Sequence, residues 1–210
     1  MNDTPHTASP KAKKSVMREL LEWTGSILGA VVFALLIHSF AFAQSEVRMS
    51  SMEDTLVQGQ RVIEYKLGYY LTRPQRGDII ILNREKGNKG LADVFLSNVK
   101  EMYEGLLGIQ NDDHLIKRVI GIPGDLIDIR DGYLYINGVQ QSEPYIKGQT
   151  DSKEMEVPAT VPPGSVFVMG DNREVSLDSR SFGFVRYDQV EGKAVFRIWP
   201  LDKFGKIGGK

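Results

Sequence analysis

The sequence contains no cysteine, so disulfides, thiolate metal sites and a cysteine nucleophile are all excluded. Histidine is nearly as scarce. His6, His38 and His114 are the only three, too few for a histidine-rich metal site, and neither a metal nor another cofactor is expected. An excess of one charge is missing too: the net charge is -1 at pH 7, and no run of Lys or Arg extends through the body. Nucleic acid is therefore not an expected partner. What the chain has is length, since 210 residues at 41% apolar content suffice for one substantial core, or a core with an appendage.

Residues 1–18 are polar, carry Lys11, Lys13, Lys14 and Arg18, and read as a basic cytoplasmic tail. Trp23 to Ala43 then runs 21 residues without a formal charge when His38 is neutral, close to the roughly 20 that a helix needs to cross a bilayer. The expectation is a transmembrane anchor over residues 19–44. Cations cluster before it and only Arg48 follows closely, which puts the N-terminus inside and the rest of the chain outside a cytoplasmic membrane, crossed once. A cleaved signal peptide is the rival reading, because Ala41-Phe42-Ala43 has a small-x-small form. The apolar run is longer than the roughly 7 to 15 residues of a signal core, which favours the anchor.

Residues 45–210 read as one extracytoplasmic, mainly β domain. Short apolar runs around Arg61–Lys66, Gly77–Leu82, Leu115–Ile120, Asp125–Arg130, Tyr133–Ile136, Val166–Met169 and Ala194–Trp199 predict strands. Asp131-Gly132 and Asn137-Gly138 predict two-residue hairpin turns between them. Many short strands without an internal repeat point to an antiparallel sheet or barrel-like architecture. Residues 84–113 form an insertion with Val99, Met102, Tyr103, Leu106 and Leu107 near helical spacing, predicting an amphipathic helix. Such a stripe reads first as packing, and its place on a domain beside a bilayer offers a protein or membrane contact through 91–107. Residues 138–164, with Pro144, Pro158, Pro162 and Pro163, read as a loop-rich excursion.

One stretch breaks the pattern. In His114 to Arg130, the period of two puts Leu115, Lys117 and Val119 on one strand face, and Ile116, Arg118 and Ile120 on the other. One cation must then sit among apolar neighbours unless both snorkel from an edge strand into water. A lysine so placed loses solvation for its charged form, its pKa falls, and it can act as a base. Without cysteine, and with a single histidine in the soluble part, its natural partner is a serine hydroxyl.

Four blocks occur in a telling order: Ser51-Met52 with Thr55-Leu56, then Arg76-Gly77-Asp78, then KRVIGIPGD from Lys117 to Asp125, then GDNREVSLDSRSFG from Gly170 to Gly183. Behind an N-terminal anchor, this set resembles type I signal peptidases, membrane-anchored serine proteases that remove signal peptides from exported preproteins, and it covers residues 45 to 200. The resemblance implies Ser51 as nucleophile and Lys117 as general base. It implies Ser176 as the hydroxyl that orients the lysine amine, Asp178 and Arg180 as a supporting ion pair, and Asp171 with Asn172 as a polar shelf. It places Met52 at the substrate. Substrates would be preprotein signal peptides with small residues one and three positions before the cut, and the source a bacterium or an organelle. Ala41-Phe42-Ala43 fits that rule as well, so cleavage between molecules at Ala43-Gln44 is a separate expectation.

Two departures stand out. Asp54 occupies a position where the family usually has proline, and two carboxylates at Glu53 and Asp54 are expected to raise the Lys117 pKa. Met49 stands where some members have a serine that helps hold the oxyanion, so the Ser51 N–H is the first donor expected there and the sequence names no second. Among rivals, a Ser-His-Asp hydrolase would use His114 with Asp112 or Asp113, but no G-x-S-x-G elbow surrounds Ser51. Self-cleaving repressor proteases share the serine-lysine logic yet need a DNA-binding module where the anchor stands. A non-enzyme alternative is a degenerate, membrane-tethered scaffold that binds exported segments, with Met49 and Asp54 as signs of decay.

Overall fold

The computed structural model describes residues 16–84 and 114–207. The chain divides into two compact units, Met1–His38 and Ser39–Lys210. Helix α1 runs Val16–Ala41. Thr24 returns its hydroxyl to the carbonyls of Leu20 and Leu21 at 2.9 and 3.1 Å, so this polar residue leaves no donor unpaired on the helix. Its apolar side chains face outward, Trp23 at 70% and Leu28 at 65% exposure. No helix among the described residues is long and apolar enough to cross a membrane. Helix α1 ends three residues before the C-terminal boundary expected for the anchor. The Lys66 N–H donates to the Ala41 carbonyl at 2.9 Å, and from Phe42 the backbone enters strand β1 (Phe42–Glu46) rather than continuing the helix to residue 44.

The larger unit is built on two antiparallel sheets. β1 pairs with β2 (Arg61–Tyr65), so the Ala43–Gln44 bond lies in a strand, opposite Glu64 and Ile63. Cleavage there requires β1 to leave the sheet first. Beyond them come β3 (Ile79–Asn83), β4 (His114–Gly121), β9 (Ser165–Met169), β10 (Val185–Arg186) and β11 (Val190–Trp199), ordered β1-β2-β11-β3-β4-β9-β10, with β12 (Gly205–Lys206) alongside β11. The smaller sheet has the order β7-β6-β5-β8, from β5 (Leu126–Arg130), β6 (Tyr133–Ile136), β7 (Val139–Gln140) and β8 (Ala159–Thr160). The mainly β, antiparallel expectation holds, as two open sheets. Both hairpin turns form: Asp131 and Gly132 have φ 52° and 83°, and Asn137 and Gly138 have φ 54° and 80°, the left-handed pair that lets two residues reverse a strand. The 138–164 excursion is mostly irregular, as expected, apart from β7 and β8. The amphipathic helix expected within 84–113 lies outside the described residues.

β4 sits between β3 and β9, with Lys117 opposite Ile80 and Arg118 opposite Ile79. Apolar residues cover both of its faces. Leu115 and Val119 join Ile80, Leu82 and Val168 in one cluster, while Ile116 packs against another containing Met52, Leu56, Ile79 and Ile81. An interior strand gives its cations no edge from which to reach water, so neither cation snorkels: Lys117 is 1% and Arg118 5% exposed.

Candidate active site

The loop from Val47 to Gln60 delivers the serine. Its ends are tied by Val47 N–H to Gln60 O and Gly59 N–H to Val47 O, both 2.8 Å. Within it, Ser50–Met52 form one 3-10 turn, with Met52 and Leu56 buried below it in the core. Met52, expected at the substrate, has its side chain 1% exposed and anchors the turn from beneath. Above the turn, the Asn172 N–H donates to the Ser51 carbonyl at 3.0 Å and its side-chain amide to the Ser50 carbonyl at 3.2 Å. A Cβ at Gly170 would collide with Ser51 O and Ser176 Oγ, so only glycine allows the two loops to meet this closely.

Pinned from both sides, Ser51 Oγ lies 2.7 Å from Lys117 Nζ, in hydrogen-bond contact. Burial among apolar neighbours is the main reason that the Lys117 pKa falls from its ordinary 10.5 to about 8. Asp178 and Asp171 pull it upward, and Arg180 and Lys153 push it further down. The carboxylates that act most strongly on the amine are thus Asp178 and Asp171, both after β9. Glu53 instead pairs with Lys147 at 3.3 Å, and Asp54 is exposed.

Asp178 is wholly buried and caps the short helix α2 (Ser179–Phe182). Burial alone would raise its pKa, but Arg180, bound through both of its oxygens at 2.8 Å, holds it below the usual carboxylate range; the Ser176 hydroxyl and the Gly170 N–H add smaller lowering contributions. The ion pair expected between Asp178 and Arg180 is present, and Arg180 also reaches Asp151 and the Arg173 carbonyl. Ser176 departs from expectation. Its hydroxyl is buried without a hydrogen bond of ordinary geometry, and the Lys117 amine spends its second contact on the Ile116 carbonyl at 3.2 Å. Asp171 accepts Arg118 Nε and Nη2 at 2.8 and 2.6 Å and the Thr55 hydroxyl at 2.5 Å, joining β4 to the loop that carries Ser51.

Several participants escaped the sequence. Arg118, 4.0 Å over the Tyr145 ring, was readable as the second buried cation of β4 but not as the partner of Asp171. Arg173 is fully buried on Glu143, and Lys153 donates to the Ser176 carbonyl at 2.6 Å. Glu143, Tyr145, Asp151 and Lys153 all come from the loop-rich excursion, where no periodicity marks a residue as important. The Arg76-Gly77-Asp78 block proves to be scaffold: Arg76 holds Asp125 at 2.7 Å and Asp78 accepts Tyr69 at 2.8 Å and Lys193. His114 pairs with Glu191 at 3.2 Å, while Ser51 pairs with the lysine, which removes the basis for a Ser-His-Asp reading.

The sequence as a whole matches a known family. The sequence model described as "Signal peptidase, peptidase S26" matches residues 20–199. The chain belongs to the signal peptidase family. It is 32% identical to signal peptidase IB of Staphylococcus aureus over 203 residues, covering 89% of this chain and 93% of the relative. It is 36% identical to signal peptidase I of Bacillus licheniformis over 198 residues, covering 89% and 92%. The crystal structure of a signal peptidase I from Enterococcus faecalis aligns at 34% identity and a TM-score of 0.41, covering 58% of this chain and 97% of that one. This signal peptidase is accordingly a serine endopeptidase, and its family membership implies preproteins bearing signal peptides as substrates.

Proposed function

We propose that this signal peptidase works through a Ser51–Lys117 dyad, as a membrane-anchored enzyme that cuts preproteins after small-x-small sites. The 2.7 Å approach of Lys117 Nζ to Ser51 Oγ inside an apolar pocket is the observation that carries the reading. The amine, uncharged above about pH 8, accepts the Ser51 proton as Oγ attacks the scissile carbonyl. It returns that proton to the departing amine as the C–N bond breaks, which leaves an acyl-enzyme. A water deprotonated by the same lysine then hydrolyses the ester, and Ser51 recovers its proton. The Ser51 N–H, on a turn clamped by Asn172, is a preorganised donor for the oxyanion. Met49, extended and 43% exposed, brings no side-chain donor to it.

The anchor assigned to residues 19–44 is supported by the uncharged run Trp23 to Ala43 and by the outward apolar face of α1, including Leu20, Leu21, Ile27 and Phe33. With basic residues ahead of it, the catalytic unit works on the outer side of a cytoplasmic membrane, where exported chains emerge. Small residues at the cut follow from the family resemblance. In full-length protein in detergent, wild type should release the mature part of a preprotein, whereas Ser51→Ala and Lys117→Ala should leave it intact. Retained cleavage in either variant rejects the dyad.

A further inference from the structure

Charged groups around Ser51 and Lys117 come in matched sets. Arg118 holds Asp171, Arg173 holds Glu143, Arg180 holds both Asp178 and Asp151, and on the nucleophile turn Glu53 takes Lys147. Lys153 is the exception. Among the described residues it meets no carboxylate within ion-pair distance, and its Nζ donates to the Ser176 backbone carbonyl at 2.6 Å. Turn chemistry does not explain a lysine there, because its φ of 49° lies in the left-handed region that glycine and asparagine occupy at lower cost. The ammonium therefore ends on the carbonyl of a residue whose hydroxyl packs against Gly170, beside the Ser51 carbonyl, and which stands two positions before Asp178.

That location matters because the dyad is crowded by carboxylates. Asp178 and Asp171 both favour a charged amine at position 117, and a charged amine cannot take the Ser51 proton. Each faces an arginine, but Arg180 divides its charge between two carboxylates and Arg118 is fully engaged by Asp171. Lys153 brings positive charge that no carboxylate among the described residues cancels.

We propose that Lys153 is a positioning residue for the peptidase reaction: its ammonium, seated on the Ser176 carbonyl, offsets the Asp178 and Asp171 carboxylates and keeps the Ser51–Lys117 pair competent to react. The proposal rests on Lys117 being the general base. Lys153 touches neither substrate nor the reacting atoms, and acts through the field at the amine.

The test is the pH profile of kcat/KM for preprotein cleavage by the full-length enzyme in detergent, whose acid limb reports the free-enzyme base. Lys153→Met should move that limb to higher pH by roughly half a unit to one unit, the size expected for one partly screened charge near the site. Lys153→Arg keeps the charge and should restore the wild-type limb. Lys153→Gln, which retains a donor for the Ser176 carbonyl without the charge, should shift as Met does; it also supplies the reading if Lys153→Met does not fold. A limb at the wild-type pH in both neutral variants, with rates merely reduced, overturns the proposal and leaves Lys153 a loop tie. Cleavage surviving in Lys117→Ala would instead overturn the base assignment itself, so the two failures are separable.

Discussion

Lys117 and Arg118 are neighbours on β4, point to opposite faces, and are both buried, yet they stand in opposite electrostatic situations. Arg118 meets Asp171 through two hydrogen bonds and stacks on Tyr145, and these contacts raise its pKa despite desolvation. Lys117 shares its face with Leu115 and Val119, opposite Ile80, and meets a neutral hydroxyl; its pKa falls to about 8. Burial is common to both residues. What separates them is whether a carboxylate is in hydrogen-bond reach, so one cation holds the structure together while the other is available for proton transfer.

The largest effect expected from breaking this comparison is on activity. Lys117→Met should lower kcat for preprotein cleavage by about 10^4-fold, near the upper end for loss of an acid–base group. Substituting the neighbour should unfold before it inactivates: Arg118→Met strands the buried Asp171 carboxylate, a loss of about 3–5 kcal/mol in denaturant unfolding. Lys117→Met should do the reverse and stabilise the protein at pH 7 by up to roughly 3 kcal/mol, the cost of folding with a lysine whose pKa is depressed from 10.5 to about 8. Between about pH 8 and 10.5 the unfolded chain binds a proton at this lysine that the folded chain does not. Wild-type stability should therefore rise with pH across that window and approach the Lys117→Met value at its upper end, and kcat/KM should rise through about pH 8. A parallel stability–pH curve for the two proteins would sink the assignment of a depressed lysine.

Smaller changes sharpen the picture. Thr55→Val removes one hydrogen bond to Asp171 and should cost on the order of 1 kcal/mol in chemical denaturation. The weakest effect is expected from Asp54→Pro, which should leave the acid limb unmoved, because the carboxylates acting on Lys117 are Asp178 and Asp171. An acid-shifted limb in that variant would return the influence to the nucleophile turn.

Much of this site was legible in the chain because its signals are local. A lysine inside an alternating apolar run, two-residue turns at Asp131-Gly132 and Asn137-Gly138, and ordered motif blocks each survive without knowledge of distant contacts. The misplaced residues share the opposite property. Met52 sits beside Ser51 in sequence, yet a 3-10 turn sends its side chain into the core. Ser176 follows the family order, but the Lys117 amine finds Ile116 O instead. Contacts from Glu143, Tyr145, Asp151 and Lys153 start in an aperiodic stretch and bridge up to 30 positions, where spacing carries no information about proximity.

The amino-acid order by itself determined the strand periodicity and the hairpin turns, and it suggested a serine partner for the lysine set inside an apolar strand. Which cation would face a carboxylate, which carbonyl would receive Lys153 and which side chains would lie beneath Ser51 were decided only in three dimensions. Solvation and charge depend on every group within a few ångströms, and those groups come from segments that only the folded sheets bring together.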